Sequence, residues 1–212
     1  AHLFLQAGDL FDTVAPRNVE RDFVARELRA LAAAGVRAFA VGGNHDTPRT
    51  HGDPGAASPL ALYHHLGALR LLQAEGAIDD RVVEVEGVRV AVGGRSWDPL
   101  WRPGQDPLEG LDWRPEADVR ILLLHASLEG HRAPQAEEPV VRWESVARLD
   151  GVHVLAVGHV HRFARFRIGE TTVVVPGATE RMTFGDDEGE PGCVFLELDA
   201  AGRVRQLQHV AV

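Results

Sequence analysis

The sequence contains no lysine, only one cysteine and no long hydrophobic run. Because Cys193 has no second cysteine to pair with, an internal disulfide is excluded, and we expect a reducing, cytoplasmic location. Cys193 begins the apolar segment 193–198, so we expect it to be a small buried hydrophobe. No apolar segment approaches the roughly 18 residues of a membrane span, and none has the pattern of a signal peptide. We therefore expect no membrane association.

Positively charged residues are outnumbered: the sequence has 22 arginines and 31 acidic residues, and the formal net charge is −9. A surface of this charge is not broadly attractive to nucleic acid. It does not exclude an enzyme that cleaves phosphate esters, since bound divalent cations can dominate the local charge of a site. The 212 residues, 45% of them hydrophobic, suit a single α/β domain over residues 1–212.

Polar side chains follow the first two predicted strands directly. The apolar segment 1–7 leads into GDLFD (8–12), and the apolar segment 36–41 leads into GGNHD (42–46). Between them the spacing predicts a helix that begins at Asn18 as N-cap, ends before Gly35 and buries one face, namely Val19, Phe23, Val24, Leu28 and Leu31. A right-handed crossover then places both strand ends at one edge of a parallel sheet.

Two further predicted strands end in histidine. Segment 119–124 is followed by His125, and segment 152–157 leads into GHVH (158–161). If the backbone of GHVH is extended, His159 and His161 point to the same face. Oxygen and nitrogen ligands without thiolate favour Mn²⁺, Fe or Zn²⁺ over a structural cysteine-type site. A single histidine is more often structural, and we interpret five others so: His2, His51, His131, His153 and His209.

The rest of the chain predicts ordinary α/β elements. We expect hairpins over 82–92 and 163–175, short helices near 60–65 and 143–149, and final strands over 193–198 and 204–210. The proline-rich segment 97–114 contains three tryptophans, which suit either nucleobase stacking or anchoring of the loop on the core. Anchoring is the favoured interpretation.

GDLFD (8–12), GNHD (43–46), His125 and GHVH (158–161), in that order, resemble the motifs of the calcineurin-like metallophosphoesterases. Phe11, the motif spacing and the tail PGATER (176–181), running into FG (184–185), resemble the narrower SbcD-type nucleases of bacterial DNA double-strand-break processing complexes. The resemblance implies an α/β fold with four αββα layers, in which two mixed sheets lie between helices.

The resemblance also assigns roles to residues. It implies two divalent ions, with Mn²⁺ preferred and Fe or Zn²⁺ as alternatives, bridged by Asp9. Asn44, His125 and His159 would complete one ion's ligands, and His161 would bind the other. His45 would contact the scissile phosphate and Asp46 would orient His45. Asp12, the last residue of GDLFD, is treated as structural support.

One family motif is missing, because no Asp-x-His occurs in the 212 residues. We expect the strand that carries it to precede Ala1, so that the chain is an N-terminally truncated phosphoesterase domain without a C-terminal cap. One metal site then keeps all its ligands, while the other keeps only Asp9 and His161.

The function implied is metal-dependent phosphodiester hydrolysis by a DNA exonuclease or endonuclease in DNA repair, through a two-metal mechanism. Its partners would be DNA and an SbcC-like ATPase subunit, and a homodimer is compatible with it. Arg162 and Arg181 would supply local positive potential for DNA. Arg165 and Arg167 could do the same, but for these two a solvated charge at the strand edge is the favoured interpretation. Two alternatives remain open: a small-molecule phosphodiesterase or phosphatase, which the acidic surface favours, and a non-catalytic or partner-binding module.

Overall fold

A computed structural model of the protein describes residues 1–48, 57–73, 77–131, 138–181 and 189–212. His51 and the FG pair (184–185) lie outside the described residues. Within these ranges, no helix is long and apolar enough to cross a membrane.

Three helices and thirteen strands are assigned within the described ranges. The helices are α1 (Asn18–Ala33), α2 (Pro59–His65) and α3 (Trp143–Ala147). The strands are β1 (Leu3–Ala7), β2 (Arg37–Val41), β3 (Arg70–Leu71), β4 (Asp79–Val85), β5 (Val88–Arg95), β6 (Val119–His125), β7 (Ser127–Leu128), β8 (Val140–Val141), β9 (Val154–Gly158), β10 (Ala164–Ile168), β11 (Thr171–Val175), β12 (Gly192–Leu198) and β13 (Val204–Ala211).

The largest sheet is mixed and has six strands in the order β10-β11-β9-β6-β5-β4. Its four central strands run parallel, while β4 and β10 are antiparallel edge strands. Both predicted hairpins are therefore confirmed. The β4–β5 turn has φ of 50° at Glu86 and 81° at Gly87, the pair of positive values that a type I′ turn requires.

The other strands form smaller sheets. β1, β2 and β3 make a parallel sheet in that order, and β12 pairs with β13 in an antiparallel hairpin. β7 and β8 add a short parallel pair.

Three apolar clusters lie between four layers. Along β2 the alternation is complete, because Phe39 and Val41 face the six-stranded sheet while Ala38 and Ala40 face the helices α1 and α2. β6 alternates in the same way. Leu123 faces β2, whereas the residues directly before and after it belong to the opposite cluster, beside α3. Strands buried on both faces explain the continuous apolar runs of the sequence. This arrangement confirms the αββα fold class.

Helix α1 differs in detail from the sequence prediction. Arg17, and not Asn18, is the N-cap, and its backbone N–H donates to the Glu20 carboxylate at 2.7 Å. Val19 and Phe23 are 63% and 56% exposed, so the prediction that they face the core is wrong. The helix buries a narrower stripe: Leu28 is buried, and Val24 and Leu31 pack partly against the same cluster.

Cys193 is exposed, so the prediction of a buried thiol is wrong. It lies in a two-stranded sheet of which only one face packs on the core, and Val194 and Leu196 occupy that face. Alternation along the strand then turns Cys193 and Phe195 to solvent.

The irregular connection after β5 is fixed by its tryptophans, as predicted. Trp113 is 9% exposed and its indole Nε1 donates to the Asp80 carboxylate at 2.7 Å. The Arg95 guanidinium lies 5.2 Å from the ring centroid of Trp101, which is also partly buried on the core. These contacts support anchoring over base stacking.

Candidate metal centre

The carboxyl ends of β1, β2, β6 and β9 meet at one place, which we call the site edge. The ends of β6 and β9 are in register, with His125 opposite Gly158, and those of β1 and β2 likewise, with Ala7 opposite Val41. The Ala7 carbonyl oxygen lies 2.8 Å from His125 Nδ1, so a hydrogen bond joins the two sheets here. Residues from all four motif loops are therefore neighbours.

The motif loops approach so closely that their glycines leave no room for a side chain. A Cβ atom on Gly8 would lie 2.2 Å from His125 Nδ1, and one on Gly43 would lie 2.0 Å from Asp9 Oδ1. Asp9 and His159 adopt positive φ values of 53° and 86°, which non-glycine residues seldom do. Such conformations cost free energy and concentrate at functional sites.

Four predicted ligands converge at this edge. The donor atoms of Asp9, His125 and His159 lie within 4.8 Å of one another. Asn44 Oδ1 lies 2.9 Å from His125 Nε2 and 3.1 Å from His159 Nδ1. Asp9 Oδ2 lies 3.2 Å from His125 Nε2. These are the four residues that the resemblance assigns to a single metal ion.

The chemistry of this donor set fits a divalent cation. The Ala7 carbonyl can only accept, so His125 carries a hydrogen on Nδ1 and directs the lone pair of its neutral ring from Nε2. That lone pair faces two oxygens, Asp9 Oδ2 and Asn44 Oδ1. Acceptors that face one another are stable only with positive charge between them, and a metal ion supplies that charge.

In the protein alone, a proton can take the place of that charge. Burial lowers the pKa of His125, but the hydrogen bond and charge of Asp9 outweigh burial and raise the pKa overall. Burial raises the pKa of Asp9, but its contact with His125 lowers the pKa overall. For His159, burial and the nearby His125 charge lower the pKa despite the Glu138 carboxylate. A bound cation would therefore displace a proton from this cluster.

His45 lies beside this cluster with its ring exposed. Its backbone N–H donates to Asp9 Oδ1 at 2.9 Å, which fixes the main chain against the centre. The ring Nδ1 lies 3.0 Å from Asp12 Oδ1. The carboxylate beside the His45 ring is thus that of Asp12, and this differs from the expectation that Asp46 orients it.

Asp46 is instead fully buried and binds backbone amides. Its Oδ1 accepts from Gly43 N at 2.7 Å, and its Oδ2 accepts from Leu10 N at 2.7 Å and Phe11 N at 3.4 Å. Burial and the charge of Asp9 raise its pKa, although the Gly43 hydrogen bond opposes them. A buried carboxylate needs such donors, so Asp46 joins the GDLFD and GGNHD loops.

A cavity of about 1850 Å³ opens over the centre. Asp9, His45 and His159 line it, and so does the exposed His161, which is outside the close donor cluster. Arg162 and Arg181 line the same cavity and are exposed. Of the other two predicted arginines, both exposed on β10, Arg167 pairs with Glu170 at 3.0 Å.

Glu138 belongs to the site and was not predicted. Its carboxylate contacts His159 Nε2 and accepts from Ser127 Oγ at 3.4 Å. The residue lies just before the two-residue strand β8, so no motif or periodicity identifies it.

The αββα layers and the carboxylate, amide and imidazole donors at the strand ends define a class of metal-dependent phosphoesterases. The family model for calcineurin-like phosphoesterases matches residues 1–163, which is most of the chain. The chain therefore belongs to the calcineurin-like phosphoesterases, a family of hydrolases that act on phosphoester bonds and use divalent metals.

Within this family, the chain is similar to two proteins named DNA double-strand break repair protein Mre11. It is 28% identical to that of Methanopyrus kandleri over 221 residues, which cover 93% of this chain and 45% of the relative. It is 26% identical to that of Thermoplasma acidophilum over 189 residues, which cover 83% and 45%. The chain thus spans less than half the length of these relatives, which support the DNA repair nuclease branch of the resemblance.

The fold is also similar to a solved structure, the sulfate thiohydrolase SoxB of Thermus thermophilus. The TM-score is 0.52 at 19% sequence identity, covering 98% of this chain and 38% of SoxB. This likeness concerns the fold alone.

Proposed function

We propose that the protein is a metal-dependent nuclease that hydrolyses phosphodiester bonds of DNA in double-strand-break repair. The observation that carries the proposal is the convergence of Asp9, Asn44, His125 and His159 beside the exposed ring of His45, at the wall of one large cavity. The Mre11 relatives are named for DNA double-strand break repair, which supports DNA as the substrate.

Asp9, Asn44, His125 and His159 would hold one divalent ion, and Asp9 with His161 would contribute to a second. Bound divalent ions in such sites lower the pKa of a water molecule and stabilise charge on the phosphoryl oxygens. We propose Mn²⁺ as the ion on the strength of the family resemblance, and the mixed oxygen and imidazole ligands also suit Fe or Zn²⁺. Asp9 suits a bridging role because its two oxygens have different contacts. Oδ2 faces His125, and Oδ1 accepts from His45 N.

His45 would act on the phosphate itself. Its Nδ1 lies against Asp12, so the opposite nitrogen, Nε2, can approach an oxygen of the scissile phosphate. A protonated imidazole in this position can donate to the leaving oxygen or stabilise developing charge. The Asp12 carboxylate would hold the ring from its Nδ1 side.

We propose DNA and one protein subunit as the partners. Arg162 and Arg181 would contact the phosphate backbone of DNA along the cavity wall. An SbcC-like ATPase subunit would be the protein partner. The net charge of −9 favours a second candidate, a small phosphodiester substrate. Turnover of bis(p-nitrophenyl) phosphate without cleavage of DNA would select that candidate.

The test uses His45→Ala in the protein expressed with its natural termini. We expect Mn²⁺-dependent cleavage of duplex DNA to fall by about 10²- to 10⁴-fold, the usual contribution of an acid–base group. Mn²⁺ affinity, measured by calorimetry, should stay near that of the unaltered protein. The matched control is His65→Ala on the exposed end of α2, which should change neither quantity. Loss of metal together with activity would make His45 a ligand and contradict the assignment.

A further inference from the structure

The two histidines of the centre are anchored through their outer nitrogens by different groups. For His125, Nδ1 lies 2.8 Å from the Ala7 carbonyl oxygen. For His159, Nε2 contacts the Glu138 carboxylate. One anchor is therefore part of the main chain, and the other is a side chain that can be changed.

The inner nitrogens point to the same place. His125 Nε2 and His159 Nδ1 lie 2.9 Å and 3.1 Å from Asn44 Oδ1. A neutral imidazole has one N–H and one lone pair, so an outer N–H that donates leaves the inner lone pair for a ligand. His159 would thus bind through Nδ1 only if its Nε2 keeps the hydrogen.

Glu138 is held where it can fix that hydrogen. Its backbone carbonyl accepts from Gly104 N at 2.8 Å, and the carbonyl of Pro139 accepts from Ser127 N at 3.2 Å. Ser127 Oγ also donates to the Glu138 carboxylate. The side chain is 22% exposed, against 10% for His159. Among the described residues, the close donor cluster contains Asp9, His125 and His159 but not Glu138.

We propose that Glu138 is a positioning residue of the metal centre: it accepts the Nε2 hydrogen of His159 and so presents His159 Nδ1 to the ion. The inference rests on the metal centre of the proposed function. Carboxylates that hold a ligating histidine in this way fix its tautomer and make it a stronger ligand. Glu138 also helps to hold the ring of a residue whose φ is positive, at 86°.

The most direct test reads the tautomers in the unaltered chain. With ¹⁵N-labelled histidine and Zn²⁺ as the probe, long-range ¹H–¹⁵N correlation distinguishes the protonated ring nitrogen from the metal-bound one. We expect His159 protonated at Nε2 and bound through Nδ1, and His125 protonated at Nδ1. His159 bound through Nε2, with Glu138 on the same ion, would make Glu138 a ligand and overturn the inference.

Variants then measure how much Glu138 contributes. Glu138→Ala should weaken Zn²⁺ binding by about 10- to 100-fold, the usual effect of removing such a partner. Glu138→Gln, whose amide oxygen can still accept from Nε2, should lose less than Glu138→Ala. The matched control is Glu170→Ala, at a glutamate that is 96% exposed, and it should leave Zn²⁺ affinity unchanged. Circular dichroism confirms that each variant is folded.

The outcomes separate this inference from the proposed function. An unaltered chain that binds no Zn²⁺ overturns the metal centre and this inference together. An unaltered chain that binds Zn²⁺, with Glu138→Ala equally tight, overturns only the role of Glu138. If Glu138→Ala fails to fold, the tautomers of the unaltered chain decide.

Discussion

A Cβ atom on Gly158, at the site edge, would lie 1.9 Å from the Ala7 carbonyl oxygen, whereas one on Gly87, at the opposite edge of the same sheet, would meet no atom within 4 Å. Gly169 resembles Gly87, with open space and a φ of 56°. We call the edge with the turns Glu86–Gly87 and Gly169–Glu170 the turn edge. Glycine provides space at the site edge and a positive φ at the turn edge. Substitutions should therefore damage metal binding at one edge and only stability at the other.

The largest effect is expected for Gly43→Ala at the site edge. Its Cβ would lie 2.0 Å from Asp9 Oδ1 and 2.4 Å from Asp9 N, so the Asp9 carboxylate must move. We expect Mn²⁺ affinity to fall by more than about tenfold, with a stability loss of about 1–3 kcal/mol from overpacking. Calorimetry and urea denaturation measure the two quantities.

The matched control for Gly43→Ala is Gly87→Ala. It forces alanine to a φ of 81°, at a cost of about 1–2 kcal/mol, and should leave Mn²⁺ affinity unchanged. Equal Mn²⁺ affinity in both variants would remove the distinction between the two edges.

A smaller effect is expected from charge. Replacing Arg162 and Arg181 with glutamine should reduce the salt dependence of DNA binding by about two phosphate contacts, a change of about 1.8 in the slope of log K against log salt. The control pair is Arg165 and Arg167 on β10, of which Arg167 lies near the turn edge and pairs with Glu170. If the slope is unchanged when Arg162 and Arg181 are replaced, or if it changes equally for both pairs, DNA does not bind along the site edge.

The smallest effect concerns His153, just before β9 at the turn edge. Burial and the Arg120 guanidinium lower its pKa, although Asp199 opposes them, and its Nδ1 accepts from Arg120 N at 3.0 Å. Below about pH 6.5 the unfolded chain gains a proton that the folded chain resists, so this contribution to stability is lost as pH falls. His153→Asn should lessen the fall in urea midpoint between about pH 8 and about pH 5.5. An unchanged pH dependence would contradict this role.

Much of the fold and site follows from local pattern. Apolar runs with polar ends predict the central strands, and the crossover rule predicts that Asp9 and Asn44 share an edge, as the structure shows. The hairpins follow from glycine turns between alternating segments. These features depend on a few consecutive residues, so a single sequence carries them.

The remaining features depend on contacts between distant segments. Glu138 reaches His159 across 21 residues, and Asp46 is buried under amides of a loop 35 and 36 residues away. The exposure of Phe23 depends on which face of α1 the neighbouring elements cover, and that of Cys193 on which face of a hairpin is covered. The residue pattern within one segment does not show which distant segment it will contact.

The most direct test of the central claim is anomalous diffraction at the manganese absorption edge, from crystals of the protein grown with MnCl₂. We predict a peak bonded at about 2.0–2.3 Å to Asp9 Oδ2, Asn44 Oδ1, His125 Nε2 and His159 Nδ1. Ordered side chains of these four residues with no anomalous peak between them, or with manganese bound only elsewhere, would contradict the metal centre.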